Sequence, residues 1–137
     1  MTNLKIEIHS FSYKKGGIPA DSTGNGGGFT FDCRGILNPG RIEEYKMKTG
    51  KDNGVQQYLE DKTEMPKFLE LIKSLVSITI DNYIERGFEN LQINFGCTGG
   101  QHRSVYSAEK ISAFIKEKYP EVSVSVHHDE QPQLNHS

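Results

Sequence analysis

The stretch Leu91-Gln92-Ile93-Asn94-Phe95-Gly96-Cys97-Thr98-Gly99-Gly100-Gln101-His102-Arg103-Ser104-Val105 decides the fold class of this chain. Leu91 to Phe95 is an apolar-rich run that reads as a strand. From Val105 onward, apolar residues recur at helical spacing (Val105, Ala108, Ile111, Ile115, Tyr119), which predicts a helix over about 103–118. A small-residue loop joins the two. A strand, a glycine loop and a helix N-terminus in that order make a ready anion site, because the amides and the positive end of the helix dipole converge on one point. Gly99 and Gly100 keep side chains from holding an anion away from the backbone. Arg103 adds a full charge on a planar donor fork, and as a first-turn residue its loss is expected to cost binding and little stability.

Working outward, Leu4-Lys5-Ile6-Glu7-Ile8-His9 alternates apolar and polar, the pattern of a half-buried strand. Residues 14–28 hold six glycines and a proline, which predicts a mobile surface loop. Phe29 to Cys33 reads as a second short strand, residues 41–54 as polar and irregular, and Val55 to Asp61 as a short helix. Pro66 sits in the first turn of the longest helix, which Arg86-Gly87 ends. Its stripe is read as Phe68, Ile72, Leu75, Val76, Thr79 and Tyr83, widened by Leu69, Leu71, Ile80 and Ile84. This stripe is core or a dimer seam. Pro120 stops the 103–118 helix, and Val122, Val124 and Val126 alternate as a last strand. The expectation is one α/β layered domain over 1–129, with a mixed or mostly parallel sheet and helices packed on it. A right-handed crossover would set 91–95 beside 122–127. Residues 130–137 are polar and expected to be a disordered tail.

The 137 residues, 34% hydrophobic and 25% charged with net charge −2, suit one soluble domain and do not advertise nucleic acid or anionic membrane as a partner. No 18-residue apolar run and no signal peptide is seen; Met1 leads straight into the first strand. Cys33 and Cys97 make no disulfide framework, and no Cys/His set has zinc spacing. The expectations are a cytoplasmic protein with no metal and no cofactor.

Three readings compete for residues 96–104. One is a glycine turn without a ligand. The second is catalytic: Cys97-x-x-Gly100-x-x-Arg103-Ser104 is similar to the Cys-x5-Arg loop of protein tyrosine phosphatases. There a thiolate attacks phosphorus, the amides and Arg hold the phosphoryl oxygens, and the following hydroxyl helps the thiolate leave. Cys97, Arg103 and Ser104 would carry these roles, the cysteine activated by the helix N-terminus and Arg103. Gly96 stands where those enzymes usually carry His, and no Asp lies on an obvious mobile acid loop, which leaves Asp21, Asp32 and Asp52 as acid candidates. Enzymatic activity is left open, leaning against. The third reading is phosphate binding without chemistry.

The third gains from a resemblance. Cys97-Thr98-Gly99-Gly100-Gln101-His102-Arg103-Ser104-Val105, followed by Ala108-Glu109, resembles the C-T-G-G-[KQ]-H-R-S-V motif of the RapZ/YvcJ C-terminal domain family. Ser10-Phe11-Ser12-Tyr13-Lys14-Lys15-Gly16 with Ile18-Pro19 resembles its S-F-G-[FY]-K-x-G-x-P segment. Phe31-Asp32-Cys33-Arg34 resembles F-D-[VM]-R, Asn38-Pro39 its N-P, Thr49-Gly50 with Asp52 its T-G-x-D, and His127-x-Asp129 its H-R-D. The resemblance implies binding of an amino sugar phosphate, glucosamine-6-phosphate, contact with a small RNA, and self-association. It implies ligand contacts at Thr98, Gly99, His102 and Arg103, within a binding loop of Cys97, Thr98, Gly99, Gly100, Gln101, His102, Arg103 and Ser104. Asp32 and Asn38 are candidates for the ammonium and hydroxyls. The expected role is a sensor or regulatory module acting through a partner protein or its own oligomer.

Departures limit the carry-over. The family's N-terminal G-x-x-x-x-G-K-[ST] run does not occur in this chain, and one family His is Gly40. His128 replaces an Arg and Glu130-Gln131-Pro132-Gln133 carries no positive charge, which weakens RNA binding because basic side chains dominate phosphate affinity.

Asp32 and Arg34 flank Cys33, point to the opposite face from it, and could meet the Cys97 loop if the strands are neighbours; a surface ion pair is the plainer reading. Lys14-Lys15 beside Tyr13 reads as a solvated loop. His127 and His128 face opposite ways on a strand and cannot share one metal ion. His102, inside an anion loop, is read as an imidazolium that contacts the ligand.

Overall fold

The computed structural model describes residues 2–25 and 27–137; Met1, read as leading into the first strand, and Gly26, one glycine of the predicted 14–28 loop, lie outside the described residues. Four strands form one sheet: β1 (Lys5–Ser12), β2 (Gly28–Asp32), β3 (Asn90–Cys97) and β4 (Ser123–His128). Three α-helices intervene, α1 (Asn53–Lys62), α2 (Met65–Arg86) and α3 (Arg103–Lys118). The sheet is all parallel, in the order β2-β3-β1-β4.

That order corrects one expectation. β3 and β4 are not neighbours; β1 lies between them and pairs with both. Burial explains the choice. β1 and β3 are the longest strands, eight residues each, and β3 is buried at seven of its eight positions. Long, buried strands take the centre, where both backbone edges find ladder partners. The shorter β2 and β4, which expose alternate residues, take the edges.

Leu4, Ile6 and Ile8 of the β1 segment, Leu91, Ile93 and Phe95 of β3 and Val124 and Val126 of β4 point to one face, where all three helices bury their apolar sides. On α3, Val105, Ala108, Ile111, Ile115 and the following Tyr119 are buried, as their spacing requires. The stripe of α2 is rotated from the one read in the sequence. Met65, Leu69, Ile72, Val76 and Ile80 face the core, whereas Leu71, Leu75 and Ile78 are exposed. An α2 that is apolar over more than half its circumference cannot reveal its inward side by periodicity. Its end follows the sequence: Gly87 takes a left-handed φ of 75° and its amide bonds the Tyr83 and Ile84 carbonyls.

The opposite sheet face is covered by residues 13–25. The Ser22 hydroxyl donates to Glu7 at 2.9 Å, and the Gln92 side chain donates to the Ala20 carbonyl at 3.2 Å. A parallel sheet needs cover on both faces, and here a glycine-rich segment does what a helix layer usually does.

The polar tail is not free. His136 forms an antiparallel bridge with Val126, its amide and carbonyl both bonded at 3.0 and 2.7 Å. Its ring nitrogen meets Glu109 of α3 at 2.8 Å, and Glu109 also takes the buried His128 Nε2 at 2.7 Å. The other His128 nitrogen meets the Ser10 hydroxyl at 2.6 Å. The tail therefore closes the edge of β4. Composition could not show this, because its anchors are backbone groups and one distant carboxylate.

Burial pushes the Glu109 carboxyl up, but hydrogen bonds from His128 and His136 outweigh it and hold the group below the ordinary glutamate range. A carboxyl depressed by folding contributes stability that is fully present above its unfolded value, near 4.5, and lost as pH falls through the lower folded value. Glu109→Gln is expected to lower stability at pH 7 by on the order of 1–2 kcal/mol and to flatten the loss of stability below pH 4.5. Denaturant titrations at pH 7 and pH 3.5 check this; equal pH dependence in both proteins would contradict it.

Candidate functional site

The Cys97 loop joins the carboxyl end of β3 to the amino end of α3, at the sheet edge where ligands of parallel α/β folds bind. Its floor is anchored to β1: Tyr13 N–H donates to the Cys97 carbonyl at 3.0 Å, and the Ser12 hydroxyl donates to the Thr98 carbonyl at 2.6 Å. At the bend, Gly100 has φ +67°, and a Cβ there would lie 2.8 Å from the Glu130 side chain and 3.1 Å from β1 backbone. His102 stands at the N-cap of α3 but makes no side-chain cap, so the first-turn amides are left without a capping partner. The amides of Gly99, Gly100, Gln101 and His102 likewise meet no acceptor among the described residues.

Beside this loop lies a cleft of about 230 Å³ lined by Asn38, Gly40, Lys46, Cys97, Thr98, Gly99, Gln101, His102 and Arg103. Of the eight loop residues read from the sequence, six line it. Gly100 shapes the bend instead. Ser104 is buried, with its hydroxyl donor or acceptor partner being Cys97 Sγ at 3.1 Å. Asn38 joins them; its Oδ1 accepts from the Gly40 amide at 2.9 Å and starts the short 3-10 turn Pro39–Arg41.

Arg103 is 4% exposed. One guanidinium nitrogen donates to the Arg34 and Ile36 carbonyls at 3.1 and 2.8 Å, and the other reaches Thr98 Oγ1 at 3.4 Å. Its Nε is buried and has no partner among the described residues. A buried N–H on a cation without an acceptor is costly, and a bound anion would relieve it.

His102 differs from its sequence reading. Burial draws its pKa down, against the pull of the Tyr45 carbonyl, which Nε2 meets at 2.8 Å. A carbonyl only accepts, so Nε2 carries the proton. The ring is neutral near pH 7, leaving Nδ1, beside Gly40, as an acceptor for a hydroxyl or ammonium rather than a charge for a phosphate. Gln101 is a strut: its side-chain amide donates to the Lys46 and Lys48 carbonyls, both at 2.7 Å.

Asp32 and Arg34 lie on the sheet face opposite Cys33, as read, but they bond each other, at 2.7 Å between Arg34 Nη2 and Asp32 Oδ2. Arg34 also stacks 3.8 Å over Tyr13. The Asp32 carboxyl is held below its ordinary range chiefly by the Arg34 hydrogen bond. It lines neither this cleft nor the adjoining one, whereas Arg34 lines the adjoining one. Lys46, Gly40 and Arg41 were missed as lining residues. They come from a segment with no periodic signal, and folding alone brings them to the loop.

The phosphatase geometry meets obstacles. A Cβ at Gly96 would collide with the rings of Phe11 and Tyr13, so a His cannot stand before Cys97 in this fold. Asp32 is paired with Arg34, Asp52 accepts from the Thr49 amide at 2.7 Å, and Asp21 accepts from Thr23 at 2.5 Å. Among the described residues no three His, Cys, Asp or Glu side chains gather as a metal set, and no helix is long and apolar enough to cross a membrane.

Comparison with known proteins gives the family. The model of the RapZ C-terminal domain family matches residues 4–132. A protein of Endomicrobium trichonymphae named nucleotide-binding protein is 39% identical over 122 residues, covering 89% of this chain and 40% of that one. One of Limosilactobacillus reuteri with the same name is 41% identical over 113 residues, 82% of this chain and 37% of its own length. A nucleotide-binding protein of Cereibacter sphaeroides is 38% identical over 116 residues, 85% and 36% of the two chains. The chain thus spans about two fifths of the length of these relatives. With the match running from the first strand through the end of the sheet, this chain belongs to the RapZ C-terminal domain family.

Proposed function

We propose that this domain is a regulatory module that binds a phosphorylated small molecule, an amino sugar phosphate such as glucosamine-6-phosphate, and acts through a partner protein or its own oligomer. The observation that carries this reading is the buried, unpartnered Nε of Arg103 beside loop amides and an uncapped helix start. Phosphate supplies the acceptors that all three lack. Neutral His102 and Asn38, on the wall of the same cleft, suit the amino and hydroxyl groups. The relatives' name speaks of nucleotides, but it belongs to chains more than twice as long, and this one has no G-x-x-x-x-G-K-[ST] run. RNA contact is not part of this reading: His128, where the family carries Arg, is fully buried against Ser10 and Glu109 and is out of reach of a phosphate backbone.

Calorimetry with glucosamine-6-phosphate is expected to give a Kd in the roughly micromolar to low-millimolar range, with free glucosamine far weaker. Ligand at a hundredfold its Kd adds about 2.7 kcal/mol to stability, readable as a thermal shift. Absence of both heat and shift at several millimolar overturns the proposal. Cys97→Ser is expected to keep the binding, and neither protein to turn over p-nitrophenyl phosphate or glucosamine-6-phosphate. Robust turnover lost only in the variant would instead make Cys97 a nucleophile assisted by Ser104.

A further inference from the structure

The cationic surface continues past Arg103. A second cleft of about 280 Å³ adjoins the first and shares Asn38, Thr98 and Arg103 with it. Its other walls are Arg34, Gly35, Ile36, Leu37 and Arg41. Each cleft alone is smaller than the roughly 300–1,000 Å³ of ordinary small-molecule pockets, and joined they fall within it.

The charges differ in kind on the two sides of Arg103. Arg34 is pre-set by its bidentate pair with Asp32 and its stacking on Tyr13, so its charge is largely met. Arg41 closes the Pro39–Arg41 turn and has no acidic partner among the described residues, so its charge is uncompensated. The exposed Leu37 side chain gives this second cleft an apolar wall against which a carbon skeleton can lie. Thr98 and Arg103 line both clefts, so an occupant of both passes its middle over them.

We infer that the two clefts together take a compact sugar with a phosphoryl group at each end, of the hexose or hexosamine bisphosphate class. One phosphoryl sits on the loop amides and Arg103, and the other meets Arg41 at the Arg34 rim. This rests on the loop being a phosphate site, as proposed above, and extends it to a second anion subsite that the Cys97 loop does not contain.

The test is calorimetry of the whole chain with inorganic phosphate, glucose-6-phosphate, glucose-1,6-bisphosphate and ADP, repeated with Arg41→Gln. Arg41 is exposed and unpaired, and thermal denaturation confirms that the variant folds. The bisphosphate is expected to bind at least tenfold tighter than the monophosphate. Arg41→Gln is expected to weaken the bisphosphate at least fivefold more than the monophosphate. A bisphosphate no tighter than the monophosphate, an advantage that persists in Arg41→Gln, or ADP binding tighter than both sugars overturns the second subsite while leaving the loop reading standing. No binding by any of the four probes nor by glucosamine-6-phosphate overturns the loop reading itself.

Discussion

Arg103→Ala is expected to cost about 2–4 kcal/mol of glucosamine-6-phosphate binding and also to lower the stability of the free protein. The binding loss follows from removing a cation that lines the cleft and whose Nε has no partner among the described residues. The stability loss follows from what else that side chain holds: without it the Arg34 and Ile36 carbonyls, which tether the chain after β2 to the start of α3, lose their donor. Stranding a buried acceptor costs about 1–3 kcal/mol. The sequence placed Arg103 at the first turn of the helix, with little stability expected to be lost on its removal; its burial reverses that expectation. Arg103→Lys should recover part of the binding, since an ammonium keeps the charge without the planar fork. Calorimetry and denaturant unfolding on both variants read the two effects separately. Parent-like affinity in Arg103→Ala would rule out the anion loop, and parent-like stability would rule out the tethering role.

Gly100→Ala is expected to be damaging on both counts. The residue has φ +67°, which costs a side-chain-bearing residue about 1–2 kcal/mol. The added methyl must also fit 2.8 Å from Glu130 and 3.1 Å from the Phe11 carbonyl carbon and the Ser12 amide. Ser12 cannot give way freely, because its hydroxyl fixes the Thr98 carbonyl. Strain and overpacking together are expected to cost about 2–4 kcal/mol, and the displaced loop to lose most of its ligand affinity. The control is Gly99→Ala, where a Cβ would meet nothing within 4 Å and the fold is expected to survive. A Gly100→Ala protein as stable as the Gly99→Ala protein would show that the bend can re-form elsewhere.

Much of the architecture is legible in local sequence. The helix at 103–118, the left-handed stop at Gly87 and the alternating strands at the two ends of the chain follow from side-chain periodicity and from the few residues that tolerate special backbone angles. The glycine loop between β3 and α3 is legible for the same reason: it is written in consecutive residues, from Cys97 to Ser104. What a period does not encode is rotation and order. It could not say which side of α2, apolar over more than half its circumference, faces inward, nor that β1 would separate β3 from β4.

The sequence by itself determined the elements, the layered α/β class, the glycine loop ahead of a helix and the family, because each depends on residues adjacent in the chain. Tertiary structure alone decided the burial of His102 and Arg103, the docking of the tail on Glu109 and the arrival of Lys46 and Arg41 at the clefts. Those are matters of desolvation and of meetings between groups tens of residues apart. A charge in the chain carries no record of how much water it will keep or which partner it will meet until the layers close.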